Sequence, residues 1–202
     1  MEEQMKGLWT RWENWLNANT KQELYSKTLK PGASEAEIAS LEEQLGVKFP
    51  QDFRHSLKIH NGQEEIGGLI GGYTLLPLDQ ILSEWETWRD VYEEELDDDD
   101  SEQEVGESFG PIQMDEWWHL SWIPITSNGG GDGHCLDLAP AEGGTIGQIF
   151  HFDHETRDKR WVASSFEEWM TKLIEQLENG CVQFDSDGYY QLSSENLICP
   201  TF

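Results

Sequence analysis

Residues 122–138, WIPITSNGGGDGHCLDL, constrain this chain most, because they must run out, turn and come back. Trp122, Ile123, Ile125 and Thr126 favour a pleated, half-buried surface. Pro124 has no amide hydrogen for a ladder, which predicts an edge strand or a bulge. Gly129, Gly130 and Gly131 then permit backbone conformations closed to other residues. A β-branched side chain at Gly130 is therefore expected to disturb the corner. Asp132-Gly133 reads as a turn, and His134 to Leu138 as a returning strand. The expected result is a strand, a glycine corner and a second strand, with Asp132, His134, Cys135 and Asp137 close together.

Those side chains invite three chemical readings. GGGDG lacks the Lys-Ser/Thr of a phosphate-binding P-loop and the spacing of a dinucleotide fingerprint. One Cys beside one His, with no CxxC and no HExxH, is a poor metal set. A Cys–His nucleophile pair is opposed by strand geometry, since neighbours on a strand point to opposite faces. The simplest reading is a tight corner whose carboxylates accept from turn amides.

Charge excludes more than it assigns. The chain of 202 residues carries 40 acidic against 13 basic side chains, a net charge of −27. That argues against nucleic acid or an anionic membrane as a ligand and suits a basic protein partner or high solubility. No Lys or Arg occurs from Asp90 to Thr156, against 18 Asp and Glu, ten of them between Glu93 and Glu107. The expectation is a flexible acidic loop over 93–108, with Glu93, Glu94, Glu95, Asp97, Asp98, Asp99 and Asp100 steering a partner. DDDD lacks the spaced ligands and glycine of a calcium loop. Three cysteines without framework spacing, no basic-then-apolar leader and no apolar span predict a reducing, cytoplasmic setting.

Along the chain, Met5, Leu8, Trp12, Trp15 and Leu16 recur at helical spacing over 5–18. Thr28 to Gly32 reads as a connector. Ser34-Glu35-Ala36-Glu37 is a capping box for a helix with Ile38, Leu41 and Leu45 buried and Gly46 as its stop. A short helix follows from Gln51, with Phe53 and Leu57 inward and Asn61-Gly62 ending it. Gly67 to Pro77 suggests one or two short strands. Asp79 is expected to cap a helix carrying Ile81, Trp85, Trp88 and Tyr92. Ile146 to Phe152 alternates as a strand, Asp153 to Thr156 forms a hairpin tip, and Trp161 to Ala163 returns. Ser165-Phe166-Glu167-Glu168 is a second capping box, opening a helix with Phe166, Trp169, Leu173, Ile174 and Leu177. Asp185-Ser186-Asp187-Gly188 marks a closing hairpin and fails as an EF-hand loop. The sum is α+β, with an antiparallel sheet in a single domain. The divisions are 1–180 for the domain and 181–202 for the hairpin and tail.

Leu29 to Gln63, LKPGASEAEIASLEEQLGVKFPQDFRHSLKIHNGQ, resembles the opening segment of Smi/Knr-type proteins of the SUKH superfamily. Trp122-Ile123-Pro124, Gly131-Asp132, Cys135-Leu136-Asp137 and Ser165-Phe166 with Trp169 match in the same order. The resemblance runs from about Trp9 to Leu177. It implies an antiparallel sheet backed by helices and no catalytic activity. No catalytic, cofactor-binding or metal-binding residue is assigned. Trp122, Pro124, Gly131, Asp132 and Asp137 match the strand and corner motifs and are expected to be structural or to line a partner-binding groove.

The resemblance implies two functional branches. Many bacterial members look like immunity proteins against toxins, often nucleases, and an acidic chain suits the basic cleft of such a toxin domain. Fungal members resemble regulators that couple cell-wall assembly to signalling. Long low-complexity flanks are expected of that branch, and this chain starts and stops close to the matched region, which favours the immunity branch. A metal-assisted hydrolase using Asp132, His134, Asp137 and His154 ranks last, because no known ligand spacing supports it.

Overall fold

The computed structural model describes residues 1–19, 28–64, 69–97, 105–184 and 190–192. Helix α1 (Glu2–Asn19) buries Met5, Leu8, Trp9, Trp12 and Leu16. Trp9, absent from the expected stripe, stacks on Trp12 at 4.8 Å and donates its indole N–H to Ser56 at 3.0 Å. Strand β1 (Leu29–Pro31) pairs with β2 (His60–Gln63), so the expected connector at 28–32 is half of a small ladder.

Between them lie α2 (Glu35–Leu45) and α3 (Gln51–Ile59). Ser34 accepts from the Glu37 amide, and Glu37 accepts from the Ser34 amide at 2.7 Å, a complete capping box. Gly46 closes α2 in the left-handed region at φ 69°. The buried Glu42 carboxylate joins the two helices. It accepts from the Phe49 amide at 2.9 Å, from Arg54 and from Lys48.

After β3 (Thr74–Leu75) comes the long helix α4 (Leu78–Leu96). Asp79 lies in its first turn and is not its cap; Pro77 holds that position and offers no side-chain bond. The orphan Leu78 amide instead donates to Asn61 Oδ1 at 3.0 Å, so a residue distant in sequence takes over the cap's task.

The central sheet has five strands: β4 (Ser108–Phe109), β5 (Trp122–Pro124), β7 (Gly133–Asp137), β8 (Gln148–Phe152) and β9 (Lys159–Ala163). Their order is β4-β9-β8-β7-β5, antiparallel except where the two-residue β4 runs parallel to β9. Pro124 sits on an edge strand, as its missing amide hydrogen demands. β6 (Thr126–Ser127) leaves this sheet to pair with β3. Ile146 precedes β8 and is exposed, so the strand is shorter than its alternating pattern suggests.

Both faces of the sheet are covered. Ile123, Leu136 and Ile149 point into the larger core, with α1, α2, α3 and the last helix, α5 (Phe166–Glu178). Trp122, Cys135, Phe150 and Phe152 point the other way, into a second core with Tyr92 of α4, Ile112, Trp117 and Trp118. Ser165 caps α5 by accepting from the Glu168 amide at 3.1 Å. The Glu168 carboxylate reaches the Ser164 amide instead of Ser165, so the second box is only half formed.

Strands β10 (Val182–Phe184) and β11 (Tyr190–Leu192) pair as the expected closing hairpin, whose tip lies outside the described residues. Cys135 is a free, buried thiol, whereas Cys181 is disulfide-bonded. The odd cysteine count therefore does not by itself indicate a reducing setting.

The capping box yields a direct check. Ser34→Ala should cost about 1 kcal/mol in a denaturant melt, because the Glu37 amide loses its acceptor. An unchanged midpoint would mean that Ser34 does not hold the helix start.

Candidate functional site

The glycine corner is built around one amide side chain. Asn128 Oδ1 accepts from the Gly130 and Asp132 amides at 2.7 and 3.1 Å, and its Nδ2 donates to Asp132 Oδ2 at 2.9 Å. Asp132 Oδ1 in turn accepts from the His154 amide at 3.0 Å and lies 2.7 Å from His154 Nδ1. The corner is thereby tied to the β8–β9 hairpin. The strained glycines are Gly129 (φ 76°) and Gly131 (φ 113°), whereas Gly130 has no positive φ. A Cβ on Gly131 would stand 2.7 Å from His154 Cγ, but one on Gly130 meets nothing closer than 3.3 Å. The steric sensitivity expected at Gly130 belongs to Gly131.

The other residues of the motif do not gather there. Trp122 is fully buried, its ring edge-on to Trp118 at 5.9 Å and to Phe150 at 5.1 Å. Asp137 lies at the far end of β7, roughly 13 Å along the strand from its start. It is fully buried and accepts from Gln148 Nε2 at 2.8 Å and the Ala139 amide at 3.0 Å. Burial pushes its pKa up. His134 points to the opposite face from Cys135 and Asp137, by strand alternation. It packs edge-on to Tyr73 at 5.0 Å, and its Nδ1 lies 2.8 Å from Thr126 Oγ1.

This geometry corrects the expected convergence of Asp132, His134, Cys135 and Asp137. Burial lowers the His134 pKa to about 3, leaving it neutral at ordinary pH. Burial likewise pushes the Cys135 thiol well above its ordinary value, with Glu84 and Asp137 adding to the effect. A neutral thiol and a histidine on opposite faces cannot form a nucleophile pair. Of the four residues in the hydrolase reading, only Asp132 and His154 touch.

The acidic stretch is also corrected. Glu93, Glu94 and Glu95 are not in a flexible loop but in the last turn of α4, and Asp97 is its C-cap. Residues 98–104, including Asp98, Asp99 and Asp100, lie outside the described residues. Aromatic burial opposes the charge repulsion here. Trp88 and Tyr92 pack on Trp117 at 6.2 and 5.7 Å. Arg157 pairs with Glu95 at 2.5 Å and covers the Trp117 ring at 4.3 Å, so it ties the helix end to the hairpin. Beyond the acidic run, the chain rejoins the sheet at β4. The fully buried Lys159 donates to the Val105 carbonyl at 2.6 Å, and burial lowers its pKa to about 8.

The outer face of α4 is left to solvent. Asp79 is exposed, and Glu86, Asp90, Glu93, Glu94 and Asp97 follow two turns later, exposed at three- and four-residue intervals. Arg89 is that helix's one basic residue, and it pairs with Asp90 at 2.7 Å. The stripe and the tip of the glycine corner at Asn128 to Gly130 are exposed, whereas the edge strand β5 is buried along its whole length.

Comparison with known proteins decides the family. The profile described as SMI1 / KNR4 family (SUKH-1) matches residues 32–172. The chain belongs to the SMI1/KNR4 family. The cell wall biosynthesis/cell cycle regulator smi1 of Schizosaccharomyces pombe is 33% identical over 89% of the chain, which spans 37% of that protein. The glucan synthesis regulatory protein of Neurospora crassa is 29% identical over 89% of the chain and 39% of its own length. The cell wall assembly regulator SMI1 of Saccharomyces cerevisiae is 27% identical over 83% of the chain and 40% of its length. The chain thus spans less than half the length of these relatives, which are named as regulators and not as enzymes. The glycine corner and the α4 stripe both lie within the matched region of this SMI1/KNR4 member.

Two measurements test the corner. Gly131→Ala should cost about 1–3 kcal/mol, the scale for a non-glycine residue in a left-handed conformation. Gly130→Ala should stay within about 0.5 kcal/mol. The reverse order would contradict the described turn.

The Asp132–His154 pair also has a pH signature. The hydrogen bond that the His154 ring donates to Asp132 raises the His154 pKa above 6.5; burial opposes, but the hydrogen bonds Asp132 accepts from His154 and Asn128 lower its pKa below 3.8. The raised His154 stabilises fully below 6.5 and loses its effect as pH rises through its folded value. The lowered Asp132 stabilises above 3.8 and loses its effect as pH falls through its folded value. The melting difference between wild type and His154→Ala should therefore peak between those two values and shrink as pH rises through the raised His154 value. A pH-independent difference would remove the ion pair from the account of the corner.

Proposed function

We propose that this protein is a non-catalytic, protein-binding regulator acting in the cytoplasm on cell-wall or glucan synthesis. The observation that carries this reading is the similarity across most of the chain to relatives named as fungal wall and glucan regulators. It favours the regulatory branch over the immunity branch. The exposed acidic stripe of α4 and the net charge of −27 support a basic protein partner, since opposite potentials speed encounter and favour correct docking. A toxin domain is one such partner; the relatives' names favour a component of wall synthesis instead. Among the described residues no helix is long and apolar enough to cross a membrane. On this reading, the buried Trp122, Pro124 and Asp137 hold the fold, while Gly131 and Asp132 shape the surface beside the partner.

The test is replacement in a relative. The matching segment of the fission yeast regulator is exchanged for this chain in a strain lacking the native gene. Growth under wall stress and glucan content should approach wild type. A chimera that accumulates as a folded protein yet restores neither would contradict the regulatory role.

A further inference from the structure

A cleft of about 300 Å³ opens between the first half of α4 and the β3–β6 ladder. Its polar wall holds Gln80, Ser83 and Glu84 of α4, with Thr74 and Ser127 across from them. Leu76 supplies an apolar floor, and Gly129 brings the glycine corner to the rim. Its volume lies at the bottom of the range for ligand sites, the scale of one long side chain.

The chemistry of the walls narrows the occupant. Glu84 is the cleft's one charged group, and burial pushes its pKa up while the Trp88 side chain lowers it slightly. Among the described residues, no Lys or Arg forms an ion pair with it. An anion is repelled by that carboxylate. A hard metal ion needs more carboxylates than one, or ordered carbonyls, and lacks its set here. A cation fits, because it restores to Glu84 the solvation that the helix flank removes.

The remaining groups separate the two cationic side chains. Three hydroxyls and the Gln80 side-chain amide line the same cleft as the carboxylate, and several acceptor groups suit a planar, five-donor fork better than a compact ammonium. Leu76 can cover an aliphatic stem. On the same helix face, Asp79 and Glu86 flank Ser83 at four and three residues, so the segment around the inserted side chain meets further negative charge. Free ions and polyamines could share the charge complementarity, but not the match of fork and stem.

We propose that this cleft receives one arginine side chain of a protein partner, its guanidinium on Glu84 and its stem against Leu76. The inference rests on the reading of the protein as a partner-binding regulator, and it names the side chain by which the partner is held. Arginine is also among the residues that most often dominate binding energy at interfaces.

The test uses the whole chain and N-acetyl-arginine-methylamide as the probe, followed by amide shifts in NMR spectra. Saturable shifts centred on Ser83, Glu84, Ser127 and Gly129 are expected. Glu84→Gln keeps the shape and removes the charge, and Ser83→Phe fills the cleft from an exposed position. Both variants should melt like wild type and bind the probe at least about tenfold more weakly, the scale of one lost charge-assisted hydrogen bond. The uncharged citrulline analogue should not bind. Shifts spread along Asp79, Glu86, Asp90 and Glu93 and indifferent to Glu84→Gln would overturn the proposal, as would no binding. Spermidine binding there in preference to the arginine probe would assign the cleft to a polyamine and overturn it equally. Loss of arginine binding leaves the replacement experiment in yeast unaffected. Failed replacement with intact arginine binding contradicts the wall role and not the cleft.

Discussion

The structure depends on burying both faces of one short antiparallel sheet. On β5, β7 and β8, aliphatic side chains face the helices while Trp122, Cys135 and Phe150 face the opposite layer. A sheet with one wet face would need polar residues at every second position. This chain has tryptophan and phenylalanine there, so something must cover them. The cover is α4 with the loop that carries Trp117 and Trp118. Edge-to-face contacts link the layer, Trp118 lying 5.9 Å from Trp122 and 5.5 Å from Phe152. Buried aromatic pairs of this kind add roughly 0.5–1.5 kcal/mol each beyond the area they remove from water.

That requirement explains where the negative charge goes. The inner face of α4 is taken up by Trp85, Trp88 and Tyr92, so its carboxylates collect on the outer face. Three of them stand in its last turn, at the negative end of the helix dipole, with no basic residue there. Such an arrangement is locally unfavourable. It is held by aromatic burial on one side and by Arg157 at the helix end. The surface that results is acidic and fixed in place. It lies beside a cleft whose carboxyl group has no basic partner among the described residues. On the proposed reading, these parts form the docking surface for a basic protein.

Local signals in the sequence carried far. The capping box at Ser34, the serine cap at Ser165, the edge position of Pro124 and the corner at Asn128–Asp132 follow from backbone chemistry within a few residues. The family resemblance placed these pieces in order. Features that depend on distant contacts were not legible. The acidic block looks like a solvated loop because charge counts do not reveal that Trp117 lies under Tyr92. Asp79 has a cap's composition, but Asn61 supplies the bond from another part of the chain. Pairing of 29–31 with 60–63 leaves no trace at either end. Gly130 and Gly131 look alike until His154 is brought up against one of them. The burial of Lys159 and the cleft at Glu84 likewise exist only once α4, the hairpin and the corner meet.

The central claim is that the aromatic layer fixes the acidic helix α4 against the sheet. Native-state hydrogen exchange of the amides from Trp85 to Leu96 measures this most directly. Those amides should be protected close to the level of β7 and β8, with Trp118→Ala lowering protection in α4 more than in the sheet. Exchange of Trp88 to Leu96 at the rate of an unstructured chain, in the intact protein, would contradict it.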